Sequence, residues 1–170
     1  MARLLDRNPE VERLIAAFRA DLVATGQFAE SEVISPARAF LLRVGGASGW
    51  AQLPIEEQSR WLAGRESRVV LWMMVAGHAS ARPELLVRGH QRIGKVSAWV
   101  HRDFHWRFMQ VAADIGFDPK SAELQWWAVA KVAAVAGVPP EKLPRANFEA
   151  ASRELLDGSS PQDRRPGGSR

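Results

Sequence analysis

The sequence predicts an all-α protein, a compact bundle of about six to eight helices. Three observations carry that expectation. Apolar residues recur at helical spacing through most of the chain; proline, asparagine, aspartate and glycine stand where such runs begin and end; and no pair of alternating segments offers a β-hairpin. The 170 residues are the size of one domain able to bury roughly 70% of its unfolded surface. We expect one helical domain over residues 1–157. A disordered basic tail is expected over 158–170, where Gly, Ser, Pro and Arg replace core-forming side chains.

Each element has its own signal. Asn8 caps a first helix with Pro9 at its first position and Val11, Leu14, Ile15, Phe18 and Leu22 on one face, ended by Gly26. Ser35-Pro36 repeats that start signal for a short helix through Phe40, Leu41 and Leu42, and Gly45 to Gly49 reads as a turn. Leu53-Pro54 opens a helix that reaches Trp61 and Leu62 and closes at Gly64. The run from Glu66 to Val75 is a buried central helix, with a core strand as its alternative. Pro83 starts a short helix through Leu85, Leu86 and Val87, and the longest helix spans Arg92 to Ile115 with Gly116 as its stop. Asp118 and Pro119 begin the next, carrying Leu124, Trp127, Val132 and Val135 to Gly137. Pro139, Pro140 and Pro144 precede a last helix around Phe148, Leu155 and Leu156.

Composition narrows the chemistry. Zero cysteines exclude disulfides, thiolate zinc sites and a cysteine nucleophile, and they fit a reducing compartment. Zero tyrosines exclude attack through a phenol oxygen. The amino terminus carries Asp6 and no long apolar run, so no secretory signal is expected. The longest apolar run, Val69 to Ala76, is eight residues, too short for a bilayer. A cytoplasmic protein without membrane contact is the expectation.

The chain has 23 basic and 19 acidic residues, for a formal net charge of +4. Arg88, Arg92, Lys95, Arg102 and Arg107 against Asp103 place that whole surplus in residues 88–107. His90, His101 and His105 lie in the same segment, which grows more positive as pH falls through the imidazole range. At about 100° per residue, Ile93, Val96, Val100, Phe104, Phe108, Val111 and Ile115 form one face of the 92–115 helix. Arg92, Lys95, Trp99, Arg102 and Trp106 form a stripe roughly opposite, with no acid on it. Such cations neutralise phosphates, and indoles stack on bases or hold arginines by cation–π contact. The competing reading packs Trp99 and Trp106 under a neighbouring helix.

Other motifs carry less. Gly45 to Gly49 is followed by Trp50 where a phosphate-binding loop needs Lys and Ser or Thr. His101 and His105 have a zinc-holding spacing, but Arg102 follows where a metalloprotease has Glu, and no third ligand is indicated. We therefore expect no metal and no cofactor, with both histidines at the surface or on phosphate. His101-Arg102-Asp103 matches a kinase catalytic-loop triplet without any nucleotide-binding apparatus. Residues 132–143 imitate the first helix and turn of a helix-turn-helix, with Ala133 and Gly137 at small-residue spacing, but Pro144 stands where the second helix must continue.

Residues 35–156 also resemble a known region. The order of Gly49-Trp50 with Leu53-Pro54, Arg68-Val69-Val70, Leu86-Val87, His101 with Phe104-His105 and Arg107-Phe108, Gly116-Phe117-Asp118, Leu124-Gln125-Trp126, Lys131-Val-Ala-Ala and Ala136-Gly-Val-Pro139 is similar to the amino-terminal helical region of actinobacterial phage-type integrases, the tyrosine recombinases. That resemblance implies a SAM-like core-binding domain that clamps duplex DNA while a separate domain exchanges strands. The chain departs from the family at the chemistry: it has no tyrosine and no complete His-x-x-Arg pair. It would be a truncated integrase or a stand-alone relative kept for binding.

The expected function is a non-catalytic DNA-binding module using Arg88, Arg92, Lys95, Trp99, Arg102, Trp106 and Arg107. Double-stranded DNA is the expected partner, with a recombinase or a second copy as further candidates. The alternative is a helical protein-interaction module with Trp99 and Trp106 as anchors.

Overall fold

The computed structural model describes residues 8–23, 25, 30–86 and 90–157. Its described residues form ten α-helices and no strand, eight of the helices having seven or more residues. Residues 158–170, Gly26, Val87 and Arg88 lie outside the described residues. The chain divides into two compact units, one up to Met73 and one from Met74.

In the first unit, α1 (Pro9–Val23) starts where Asn8 Oδ1 accepts from the backbone N–H of Glu10 and Val11, at 3.0 and 3.3 Å. Its predicted apolar face is its buried face: Val11, Leu14, Ile15, Phe18 and Leu22. That face packs on α2 (Glu30–Val44). Here the expectation from Ser35-Pro36 fails, because Pro36 lies inside α2. An interior proline forfeits one backbone hydrogen bond and crowds the carbonyl a turn back, at about 3 kcal/mol. The helix persists because Ile34, Ala37, Phe40 and Leu41 are all buried, and each large apolar side chain contributes roughly 1.5–3 kcal/mol on burial.

Gly45, at φ 88°, ends α2 in the left-handed region. The turn expected over Gly45 to Gly49 needs a second correction, since the chain re-enters helical geometry at once as α3 (Gly46–Ala51). Gly49 permits it, since a Cβ there would collide with the carbonyl oxygen of Val44. Trp50, fully buried, then meets Phe40 edge-on at 5.9 Å, and Trp61 of α4 (Ile55–Ala63) meets Phe40 at 4.9 Å. The helix reading of the 66–75 run holds against the strand alternative. In α5 (Ser67–Val75), every residue from Val69 on is buried. Trp72 packs on Phe18 at 5.2 Å and donates its indole N–H to Asp21 at 2.9 Å.

The second unit contains α6 (Pro83–Leu86), α7 (His90–Val100), α8 (Arg102–Asp114), α9 (Pro119–Ala136), a 3₁₀ turn (Pro140–Lys142) and α10 (Arg145–Asp157). Its spine is α9, which packs against α7, α8 and α10. Asp118 caps it, accepting from the Ser121 N–H at 2.7 Å, with Pro119 at the first position. That bond to the anionic form holds the Asp118 carboxyl below its usual range. Gly137, at φ 72°, closes α9, with Val138 N–H returning to the Ala133 carbonyl at 3.2 Å. The helix-turn-helix rival fails on geometry. Gly137 to Pro144 separates α9 from α10, whereas that motif turns in three or four residues. The last helix stands where the sequence places it, as α10, with Ala151 buried and Leu156 exposed.

Candidate nucleic-acid interface: a bent helical arm around Trp126

The predicted 92–115 helix is two helices. His101, at φ −113° and ψ 47°, leaves the helical region between α7 and α8. The backbone bonds on either side survive, His101 N–H to Ser97 and His105 N–H to His101, at 2.8 and 2.9 Å. One residue therefore bends the arm without unravelling it.

The bend closes on Trp126 of α9, only 1% exposed. Its indole N–H donates to the Gly94 carbonyl at 2.9 Å. Its ring also stands 4.8 Å from His105, 5.5 Å from Phe108 and 6.2 Å from Phe104. In a straight helix Gly94 and Phe108 would be about 21 Å apart along the axis, too far for one indole to touch both. Bending wraps both arms around it. Gly94 makes the approach feasible, since a Cβ there would collide with the Trp127 ring, its Cγ only 2.8 Å away.

The bend revises several expected positions. Ile93 and Val96 are buried as predicted, and Val100, Phe104 and Phe108 are half-buried. Val111 and Ile115, predicted inward, are 58% and 69% exposed. A single phase computed through residue 101 does not survive the departure from helical geometry there, and the inward face is used up on Trp126 before Val111 is reached.

His101 and His105, expected at the surface, are both half-buried. The His101 Nε2 lies 3.1 Å from the Val75 carbonyl, where its protonated nitrogen donates. His105 packs against Trp126, and burial lowers its pKa, with nearby Glu123 partly opposing that shift. A histidine held neutral by the fold stabilises it above the ordinary imidazole pKa of about 6.5, and that contribution is lost as pH falls through this value and the lower folded one. We expect thermal stability to fall between about pH 7.5 and about pH 5 by more than in His105→Phe. Equal losses in both proteins, read by circular dichroism melts, would remove His105 from the account.

The predicted site residues separate into three groups. Arg92 and Lys95 on α7, and Arg102, Trp106 and Arg107 on α8, are exposed, Trp106 by 63%. Trp99 is half-buried, and its carbonyl accepts from Arg102 Nη1 at 3.0 Å, so Arg102 also satisfies the broken end of α7. Arg88 lies outside the described residues. The exposed side of α7 carries no acid, but Asp103 and Asp114 share the exposed side of α8. The Arg107 guanidinium lies 5.9 Å from the centre of the Phe104 ring.

No protein family, curated protein or solved structure matches this chain. Among the described residues no three His, Asp or Glu side chains gather as metal ligands, and no helix is long and apolar enough to cross a membrane.

Sequence reasoning missed two residues that shape the surface, Trp126 and Gly94. Both had a signal. Trp126 shares a helical face with Ala122, Ala130 and Ala133, and a glycine within a helical pattern marks close approach of a neighbour.

Proposed function

We propose that this chain is a non-catalytic DNA-binding module that sets Arg92, Lys95, Arg102 and Arg107 against the phosphates of a duplex, Trp106 lying among them. The observation that carries this reading is the exposure of all four cations along one bent arm whose first helix bears no exposed acid. Guanidinium and ammonium groups so placed displace condensed counterions, and this supplies most of the affinity of sequence-independent binding. The resemblance to the core-binding region of tyrosine recombinases supports the same partner. The missing phenol is why no strand cleavage is assigned to it.

A protein-interaction module is the second reading. It is favoured by Trp106 together with Val111, Ile115, Phe117 and Leu124, all exposed large apolar residues close in sequence. Half-buried Trp99 is the weaker anchor of the predicted pair.

Salt distinguishes the readings. In an anisotropy titration with duplex DNA, Arg92→Ala and Lys95→Ala should each weaken binding and reduce the log–log salt slope by about 0.9 per lost phosphate contact. Variants that bind as the wild type does, with its salt slope, would move the function to the second reading. An apolar interface weakens less with ionic strength.

A further inference from the structure

We propose that the outer face of α8 is a contact between two copies of this chain, paired antiparallel about a two-fold axis passing between Gln110 and Val111. Three observations carry the inference. The first is an apolar stripe out of place: Val111 and Ile115 continue the line of Phe104 and Phe108, yet they are exposed while those two pack on Trp126.

The second is spacing. Arg107, Val111, Asp114 and Ile115 stand at i, i+4, i+7 and i+8, the positions that share one side of a helix, and all four are exposed. Among the described residues neither Arg107 nor Asp114 makes an ion pair within its own chain.

The third observation selects the occupant. In a two-fold pair, residue i of one copy meets j of the other and j meets i, so a self-associating face must complement itself. Arg107 and Asp114 lie equally far on either side of the point between Gln110 and Val111. Antiparallel pairing about that point therefore sets each Arg107 level with the partner's Asp114, twice, with the two Val111 side chains meeting near the axis. The cationic pattern on α7 has no such self-complement.

Because α8 has 13 residues, about 20 Å of helix, the contact is small. It falls at the low end of interface sizes, below about 1,200 Å², the range of weak and transient contacts. Paired Arg107 would leave phosphate contact to Arg92, Lys95 and Arg102.

The chain's lack of cysteine permits a direct test without DNA, independent of the proposed function. Val111→Cys should form a disulfide dimer under mild oxidation much faster than Ala113→Cys, an exposed position on the other side of α8. By sedimentation equilibrium, Asp114→Arg should weaken association at least about tenfold through like-charge contact, and the exchange Arg107→Asp with Asp114→Arg should restore it. Unchanged helical circular dichroism would show that each variant folds. A monomer throughout the high-micromolar range, equal crosslinking at both positions, or a double exchange that fails to restore association would each overturn the pairing.

Discussion

Replacing Trp126 by alanine is expected to cost about 3–5 kcal/mol of folding stability, the range for deleting a buried large aromatic side chain. The magnitude reflects the contacts of the indole. It fills the inside of the bend between α7 and α8 against Phe104, His105 and Phe108 and donates to the Gly94 carbonyl. Without it, the two arms lose the surface they share. Trp126→Phe keeps most of the apolar contact but loses the indole hydrogen bond to the Gly94 carbonyl, at about 0.5–1.5 kcal/mol. Urea unfolding of the three proteins measures both steps. A loss below about 1 kcal/mol for the alanine variant would show that Trp126 does not organise the bend.

At Gly94 the expected effect of valine is a loss of about 3 kcal/mol, from overpacking against Trp127. Alanine gives the sharper test because two terms oppose. A helix gains about 1 kcal/mol when glycine becomes alanine, whereas the added methyl must displace a ring held between α7 and α9. In the wild-type background the collision dominates and Gly94→Ala destabilises. In a Trp127→Ala background the collision is gone and the same substitution should stabilise by up to about 1 kcal/mol. A Gly94→Ala effect of the same sign and size in both backgrounds would show that close approach is not why glycine stands there.

Local chemistry was legible wherever it decided the outcome. The cap at Asn8 with Pro9, the buried stripe of α1, the start at Asp118-Pro119 and the stop at Gly137 are where the sequence places them, because each depends on neighbours within a turn. The all-α class rests on the same periodicity. Exposure of Arg92, Lys95, Arg102, Trp106 and Arg107 was legible too, since charged side chains and their near neighbours on a helix stay in water unless paired.

Tertiary structure decided what local rules could not. Pro36 reads as a helix start, yet burial of Ile34, Ala37, Phe40 and Leu41 carries α2 through it. His101 has no local signal for a break; the helices on either side of it pack on a tryptophan 25 residues later in the chain. Val111 and Ile115 belong by phase to the core face, but which part of an apolar stripe is covered depends on how far the neighbouring helix reaches. Periodicity reports the direction in which a side chain points along an ideal axis. It contains no information about where that axis bends or what lies opposite, and those are set by packing between segments distant in sequence.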